Sequence, residues 1–271
     1  MKSKILIILI LSLVPMLAWS QGKVTGPKKQ PPAKKENLQS SKSKSDTVVL
    51  KKISDKVNDI RYKITDKTRK TAEIITGENM TGNVEIPETI NIGQQVYSVT
   101  SIGQDAFMAC HEMTSISIPR SIVSIGKLAF AYCTNLLEIK VDSGNRFYTS
   151  INGILFTKNL KHLICYPGGL RGSYVIPDTV NSIEDYAFCN CEGLSKISIP
   201  SSVTSIGKNS FSFCEALTHV CIPSSVSYIG EYAFACCRQL SSVSLPSKYK
   251  NDDNYHIFMG CSSLTTINYT K

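Results

Sequence analysis

The chain has 271 residues, 42% of them hydrophobic, and a formal net charge of +9 at pH 7. That charge lies near the N-terminus, because residues 22–52 hold nine lysines against Glu36 and Asp46 and two more lysines precede them. The rest of the chain is electrically neutral, which argues against a nucleic-acid-binding surface there, since such a surface gathers lysines and arginines on one face.

The first 20 residues have the pattern of a secretory signal peptide. A basic start precedes an apolar run over 5–14, and Ala18-Trp19-Ser20 has the small-x-small pattern of a cleavage site. A membrane anchor needs about 20 apolar residues, whereas this run is shorter and is interrupted by Pro15. We therefore expect cleavage before Gln21 and no transmembrane segment in the mature chain. The protein is then secreted or held at the cell surface, and a periplasmic location stays open.

Residues 21–52 are rich in Lys, Pro and Ser and contain almost no aromatic or branched side chains before Val48. Such a segment cannot bury enough apolar surface to offset its ordering entropy, so we predict a disordered basic tether. The tether could contact anionic lipid or polysaccharide, at about 1 kcal/mol per basic residue near such a surface. Its composition favours a solvated spacer.

Residues 53–100 precede the regular part of the chain. Apolar and polar residues alternate over 60–65, and a second apolar segment at 71–75 follows a polar turn, which predicts a β-hairpin. A stack of repeats needs an atypical unit to cover each end. We therefore assign 53–100 as an N-terminal cap.

A 23-residue period organises residues 101–271, as Phe211 and Phe234 illustrate. Six units carry a Phe three residues before a Cys, with a Leu or Met three residues further on and then an Ile or Val. The Phe and Cys positions are Phe107/Cys110, Phe130/Cys133, Phe188/Cys191, Phe211/Cys214, Phe234/Cys237 and Phe258/Cys261. A fixed period in this range is typical of a solenoid, in which each unit buries its apolar face against its neighbours.

Each unit predicts a short strand, a turn, a second short strand and a helical turn. In 194–199 apolar and small polar residues alternate, as in a strand with one buried face. A proline such as Pro200 closes the strand, because it has no N–H for a ladder bond. Ala-Phe-x-x-Cys then places Phe and Cys on one side of a single helical turn.

The pattern Ile-Pro-x-Ser-Val-x-Ser-Ile-Gly-x-x-Ala-Phe-x-x-Cys-x-x-Leu-x-x-Ile recurs whole or nearly so from Ile118, Ile176, Ile199 and Ile222. It resembles the BspA-like leucine-rich repeat proteins of bacterial surfaces, over roughly residues 60–271. The resemblance implies a β-dominated α/β leucine-rich repeat solenoid of about six 23-residue units plus one longer repeat. For function it implies surface attachment and protein recognition.

The longer repeat lies at 141–175, where the distance from Ile118 to Ile176 exceeds two periods. Asn152-Gly153 is a strong turn signal between apolar runs, so we expect an additional hairpin-bearing coil in the same stack. Residues 245–271 replace the usual Ser-Val-x-Ser-Ile-Gly with a polar stretch and are assigned as a C-terminal cap.

Ten cysteines in an exported chain raise the question of disulfides. Adjacent coils lie about 4.8 Å apart, which permits a bridge by distance, but side chains in one stacked column point the same way. We therefore expect the column to be a ladder of buried free thiols. The spacings fit neither a redox Cys-x-x-Cys nor a zinc site.

We find no phosphate-binding loop, serine nucleophile motif or zinc-helix motif, and the four His residues occupy unrelated positions in the repeat. We therefore expect a protein that is not an enzyme and has no catalytic residues, cofactor or metal. What remains is the outward side of the Leu-x-x-Ile-x-Ile strands, where Ser and Thr predominate. This side is either a solubilising face or a broad, shallow binding sheet.

If this side is a binding sheet, Lys140, Lys196 and His219 are prominent among the polar side chains that it presents. The candidate protein-binding residues are Glu138, Lys140, Lys196, Thr218, His219, Ser242, Thr266 and Asn268. The expected function is that of an exported recognition or adhesion module, whose partner is a protein such as a host or neighbouring-cell surface protein. The alternative is a structural envelope component with no discrete ligand.

Overall fold

A computed structural model describes residues 47–49, 59–78, 80–250 and 256–271. The predicted signal peptide and the tether up to residue 46 lie outside the described residues. The last part of the predicted tether includes a short strand, which pairs antiparallel with the strand that begins at Asp59.

The described chain consists almost entirely of short strands. They are β1 (Thr47–Val49), β2 (Asp59–Asp66), β3 (Thr71–Glu78), β4 (Thr81–Glu85), β5 (Thr89–Ile92), β6 (Gln95–Ile102), β7 (Glu112–Ile118), β8 (Ser124–Ile125), β9 (Glu138–Val141), β10 (Tyr148–Ile151), β11 (Ile154–Thr157), β12 (His162–Cys165), β13 (Gly172–Val175), β14 (Ser182–Ile183), β15 (Leu194–Ser198), β16 (Ser205–Ile206), β17 (His219–Cys221), β18 (Tyr228–Ile229), β19 (Ser242–Pro246) and β20 (Thr266–Thr270). A single 3-10 turn at Ser247–Tyr249 follows β19.

These strands stack into two ladders of parallel neighbours. The first ladder runs through β4-β7-β9, β13-β15 and β17-β19-β20, and the second contains β6-β8 and β12-β14-β16-β18. The register repeats the sequence period, since Ser182 pairs with Ser205 and Ser205 with Tyr228. The predicted solenoid is therefore confirmed, as a β-solenoid of about eight turns of about 23 residues with almost no helix.

The first-ladder strands form where apolar and polar residues alternate. In β15, Leu194 and Ile197 are buried, whereas Ser195, Lys196 and Ser198 are exposed. Lys196, Ile197 and Ser198 alternate between the solvent and core sides, as the period-2 geometry of a strand requires, whereas Ser195 lies at a shift in the register with β13. Corresponding residues of successive coils fall into columns along the ladder.

The Ala-Phe-x-x-Cys segment takes the form of consecutive tight turns. In five coils two residues four apart have positive φ, for example Asn209 (52°) and Phe213 (60°), and such residues interrupt a helix. Amide groups between them alternate between local and inter-coil bonds. The N–H of Phe211 donates to the carbonyl of Ala233 in the next coil at 2.7 Å, whereas the N–H of Cys214 donates to the carbonyl of Phe211 at 3.2 Å.

The core is built from the repeated columns. The ring centroids of Phe188 and Phe211 lie 4.6 Å apart, and those of Phe211 and Phe234 lie 4.8 Å apart with nearly parallel planes. Phe188, Phe211 and Phe234 have no solvent-exposed area. These three coils therefore share a continuous hydrophobic core along the solenoid axis, with one phenylalanine per coil.

The extended repeat interrupts these columns, and a residue of another type fills its phenylalanine position. β10 and β11 form an antiparallel hairpin, and β11 also pairs antiparallel with β12, a strand of the second ladder. Tyr166 then occupies the Phe position, with its ring centroid 4.9 Å from that of Phe188. The side chain of Asn145 is buried beside this hairpin and bonds four backbone groups, the carbonyls of Pro119 and Ile122 and the amides of Phe147 and Tyr148.

The two ends of the solenoid differ. At the N-terminal end, the antiparallel hairpin β2–β3 pairs with β6 and covers the second ladder. At the C-terminal end, β20 pairs with β19 and with no other strand of the described chain. All five residues of β20 are exposed, although Ile267 and Tyr269 continue columns whose preceding members, Val243 and Leu245, are fully buried.

Candidate protein-binding face

The outward side of the first ladder carries all eight candidate residues, and we call it the first-ladder face. Its largest continuous section lies on β17, β19 and β20. There His219 pairs with Ser242 and Ser242 with Thr266, so these three side chains form one row. Asn268 lies two residues along β20 and faces the same way, and Thr218 directly precedes β17.

Hydrogen bonds fix part of this row. The ring Nδ1 of His219 lies 2.9 Å from the hydroxyl of Ser242. The carbonyl of Thr218 accepts bonds from both the N–H and the hydroxyl of Ser241, at 2.9 Å and 3.1 Å. The row is therefore an ordered polar surface in which coil-to-coil bonds use several of the hydroxyl groups.

The two candidate lysines lie in different surroundings. The ammonium of Lys140 is 3.2 Å from the carboxylate of Glu138, two residues earlier on β9. Lys196 is exposed on β15 beside Ser173 of β13 and forms no ion pair with the described residues. β13 belongs to the coil between β9 and β15, so the structure places Glu138 and Lys140 apart from the row on β17–β20.

The structure adds two apolar residues that the sequence prediction of the binding set left out. Val175 is 70% exposed and Leu137 is 51% exposed. Val175 aligns with Ser198 on the first-ladder face, and Leu137 immediately precedes β9. The repeat marks both positions as outward, since Leu137 is an x position of the Leu-x-x-Ile segment and Val175 lies one period of 23 residues before Ser198.

One cluster contains the side-chain types of a catalytic triad. The Nδ1 of His162 is 2.7 Å from the Oε1 of Glu184, and the hydroxyl of Ser182 donates to the same oxygen at 2.8 Å. In a triad the serine donates to the histidine and the histidine to the acid. Here the serine proton is directed at the carboxylate, so the cluster cross-links β12 and β14 and does not activate a nucleophile.

A small cavity lies beside this cluster. Its volume is about 110 Å³, and its lining includes Gly126, Phe130, Cys165 and Tyr186. The ammonium of Lys127 and the carboxylate of Asp185 meet across it at 2.7 Å. Binding sites for drug-sized molecules occupy about 300–1,000 Å³, so this cavity accommodates only very small molecules.

The cysteine column faces the core. No disulfide joins any of the ten cysteines, and Cys133, Cys191, Cys214 and Cys237 are buried. Burial raises the pKa of the Cys191 thiol well above its ordinary value, and burial also raises the pKa of the Cys214 thiol. A thiol held in its neutral form is a poor nucleophile, because the thiolate is the reactive species.

The described ranges contain neither a candidate metal site nor a candidate membrane-spanning helix. Within them, no group of three or more His, Cys, Asp or Glu side chains has the arrangement of a metal site. No helix in this part of the chain has the length and apolar character needed to cross a bilayer.

Comparison with known proteins gives a consistent family assignment. The model for "BspA type Leucine rich repeat region" matches in six copies over residues 68–166 and 170–271. A leucine-rich repeat protein from Eubacterium ventriosum has a similar structure, with 30% identity and a TM-score of 0.59, over 69% of this chain and 47% of that one. The chain thus spans about half the length of that relative.

Two other bacterial structures resemble the chain more distantly. The T. pallidum leucine-rich repeat protein is 29% identical over 78% of this chain and 79% of that one, with a TM-score of 0.39. A leucine-rich cell surface protein from Faecalibacterium prausnitzii is 17% identical over 83% of this chain and 95% of that one, with a TM-score of 0.45. Curated protein sequences include no match. The resemblance inferred from the repeat pattern is confirmed by the family match.

Proposed function

Because the chain belongs to the family of BspA-type leucine-rich repeat proteins, we propose that it is an exported, non-catalytic module that recognises other proteins. Leucine-rich repeat proteins typically bind proteins. The proposed location is the cell surface or the extracellular space, and the proposed role is adhesion or recognition. Export rests on the N-terminal residues 1–20, whose basic start, apolar run and small-x-small site resemble a signal peptide.

The observation that carries the proposal is the first-ladder face itself. Its strands present regular outward columns, in which His219, Ser242 and Thr266 form one row and Lys196 lies exposed without an ion-pair partner among the described residues. A lysine that is not neutralised within the chain is available to a carboxylate of a partner. Ordered side chains lose little conformational entropy on binding, which favours recognition by a preformed surface.

The exposed apolar residues supply a second contribution. Val175 and Leu137 expose more than half of their surface, and burying such side chains in an interface yields about 25 cal/mol per Å² of apolar area. The face otherwise lacks the tryptophan, tyrosine and arginine residues that dominate strong interfaces. We therefore propose weak binding per contact, strengthened by the length of the sheet.

Electrostatics separates this site from the basic tether. The folded part of the chain is neutral, whereas residues 22–52 carry the excess of lysine. Binding through the first-ladder face should therefore depend less on salt than binding through the tether, since this face offers few charges to be screened. Binding through the tether should decline steeply as salt rises.

A second candidate function is a structural envelope component with no discrete ligand. The observation that favours it is the use of surface hydroxyls to join coils. The hydroxyl of Thr204 donates to the carbonyl of Asn181, and the hydroxyl of Ser227 donates to the carbonyl of Thr204, each at a distance of 3.1 Å. Such ladders stabilise the stack without serving a partner.

Adherence assays distinguish the two functions. The fluorescently labelled mature chain is applied to immobilised extracellular-matrix proteins and to intact bacterial cells, at low and at high salt. We expect saturable binding that survives both high salt and removal of residues 21–46. Replacement of Lys140, Lys196 and His219 together by Ala should weaken it, while the control triple replacement of Lys63, Lys158 and Lys161, all exposed and outside the first-ladder face, should not.

The controls identify each alternative. The free energy of unfolding of both triple variants must lie within about 1 kcal/mol of that of the unaltered chain, as expected for exposed side chains. Binding that disappears at high salt or with residues 21–46 assigns adhesion to the tether. Absence of saturable binding to every surface favours the structural role. Turnover of a substrate by the mature chain would contradict both proposals.

A further inference from the structure

The C-terminal strand β20 is an unprotected sheet edge. Within the described chain it pairs with β19 alone, in continuous register from Thr266 to Thr270. Ile267 and Tyr269 each remain 38% exposed, although the preceding members of their columns are fully buried. Both side chains therefore present apolar area that an additional strand beside β20 would cover.

The backbone of β20 offers the hydrogen-bonding groups for such a strand. The N–H of Thr266 faces back towards β19 and donates to the carbonyl of Ser241. Backbone groups of a strand alternate in direction, so those of Ile267 and Tyr269 face away from β19. The equivalent residue of an earlier coil shows the same direction. The N–H of Ile222, which occupies the same column as Leu245 and Tyr269, donates to the carbonyl of Ser244 in the next coil at 2.9 Å.

The opposite edge of the same ladder is protected in the ways that natural proteins use. β4 has a register irregularity between Gly82 and Asn83, and it carries the charged residue Glu85 on its edge. Bulges and edge charges prevent strands from pairing with another molecule. β20 has neither, because Thr-Ile-Asn-Tyr-Thr contains no charge and its register with β19 is unbroken.

The sequence of β20 is complementary to itself. Read in either direction, it gives polar, apolar, polar, apolar, polar residues about a centre at Asn268. Antiparallel pairing about that centre places Ile267 opposite Tyr269 of the second copy, and Thr266 opposite Thr270. Aromatic with β-branched pairs and Thr with Thr pairs are the cross-strand neighbours that stabilise antiparallel sheets.

From these observations we propose that β20 pairs antiparallel with β20 of a second copy of this chain, which joins two solenoids end to end about a two-fold axis. A symmetric contact of this kind uses the same patch on both copies, as a self-complementary strand permits. The outward-facing groups of Ile267 and Tyr269 meet as hydrogen-bonded pairs. Asn268 then lies opposite Asn268 of the second copy in a non-hydrogen-bonded pair, where side chains approach most closely.

Self-pairing at Asn268 gives a specific cross-linking test. In a Cys221→Ser background, which removes the exposed native thiol, Asn268→Cys places two thiols opposite each other. Oxidised glutathione then converts the two thiols to one disulfide, and is itself reduced to two glutathione thiols. We expect a covalent dimer on a non-reducing gel.

Thr266→Cys in the same background is the matched control. In the proposed register the two copies of residue 266 lie about 13 Å apart along the strands, given a rise of about 3.3 Å per residue. That separation exceeds the limit of about 7 Å between Cα atoms for a disulfide. We expect the covalent dimer from Asn268→Cys to exceed that from Thr266→Cys by about tenfold, and equal yields would overturn the register.

Sedimentation velocity of the mature chain tests the association without cysteine chemistry. We expect a concentration-dependent dimer that Ile267→Pro converts to monomer. Proline removes an N–H that faces away from β19, so the ladder within the chain keeps its bonds and the thermal melt should change little. A chain that stays monomeric at high micromolar concentration would overturn the proposal. A dimer that withstands Ile267→Pro in a folded variant would equally overturn it.

Discussion

The thiol of Cys214 donates a hydrogen bond of 3.2 Å to the carbonyl oxygen of Phe188 in the preceding coil. The same bond joins Cys133 to Phe107, Cys237 to Phe211 and Cys261 to Phe234, at 3.0–3.1 Å. The cysteine column is therefore a series of weak directional donors that link each coil to the one before. Small apolar side chains would fill the same space without making this link.

The first prediction concerns thiol reactivity. Cys221 is exposed on β17, whereas burial raises the pKa of the Cys214 thiol above its ordinary value. In the native chain, Ellman's reagent should react rapidly at Cys221, and that rapid phase should disappear in Cys221→Ser. The thiol of Cys214 should react only with unfolding, because its side chain is fully buried in the folded chain. Rapid modification of Cys214 in the folded chain would contradict its placement in the core.

The second prediction concerns the phenylalanine stack. Phe211 lies between Phe188 and Phe234, at ring-centroid distances of 4.6 and 4.8 Å. Phe211→Ala should lower the free energy of unfolding by about 3–5 kcal/mol, because it leaves a cavity in the middle of a closely packed column. Ser201→Ala, at an exposed position of the same coil, should change it by less than about 0.5 kcal/mol. Similar losses in urea melts of the two variants would refute the column assignment.

The third prediction concerns Asn145, the buried polar residue of the extended repeat. Its amide donates to the carbonyls of Pro119 and Ile122, and its carbonyl accepts two backbone N–H groups. Asn145→Leu keeps the number and branching of the side-chain heavy atoms but removes all four bonds, so it should cost about 2–4 kcal/mol in urea melts. Asn159→Ala removes an exposed turn contact to Lys161 and should cost under about 1 kcal/mol. A neutral Asn145→Leu would show that water replaces the side chain.

The fourth prediction concerns the N-terminus. The mature protein recovered outside the cytoplasm should begin at Gln21, which N-terminal sequencing determines. Ala18→Lys should block processing, because the cleavage site requires a small residue there. Lys23→Ala, beyond the site, should be processed normally. Recovery of unprocessed full-length chain in the cytoplasm would contradict the proposed export.

Periodicity predicted the fold well because each column has one physical role. Phe211 and Leu217 lie in the core as the repeat required. The helical turn inferred from the Phe-x-x-Cys spacing has a different backbone, since inter-coil bonds such as that from Phe211 to Ala233 compete with helical ones. Single-chain spacing contains no information about bonds between coils.

The extended repeat was less predictable. A hairpin was foreseen from Asn152-Gly153, and β10 and β11 form it. The role of Tyr166 as the replacement for phenylalanine was not foreseen, because it lies three residues after Leu163 instead of the five that separate Ile183 from Phe188. The exposure of Val175, in contrast, follows the repeat, because this residue lies 23 residues before the outward Ser198 and pairs with it.

The candidate face could be predicted as a set of outward positions but not as a site. Alternation identified Lys196 and His219 as outward, and both are exposed. The bond between His219 and Ser242, and the ion pair between Lys140 and Glu138, depend on rotamers chosen in the folded chain. Affinity for a partner depends on that partner's shape, so no property of this chain alone specifies it.

The most direct test of the proposed function is site-specific photocross-linking of the mature chain on bacterial cells and matrix proteins. A photoreactive phenylalanine analogue replaces Thr218 on the first-ladder face in one variant, and Lys158 away from it in another. The account predicts covalent adducts with a discrete surface protein from position 218, at low and high salt alike, and none from position 158. Adducts from position 158 alone, or from a photoreactive residue placed at Lys35 in the tether alone, would contradict it.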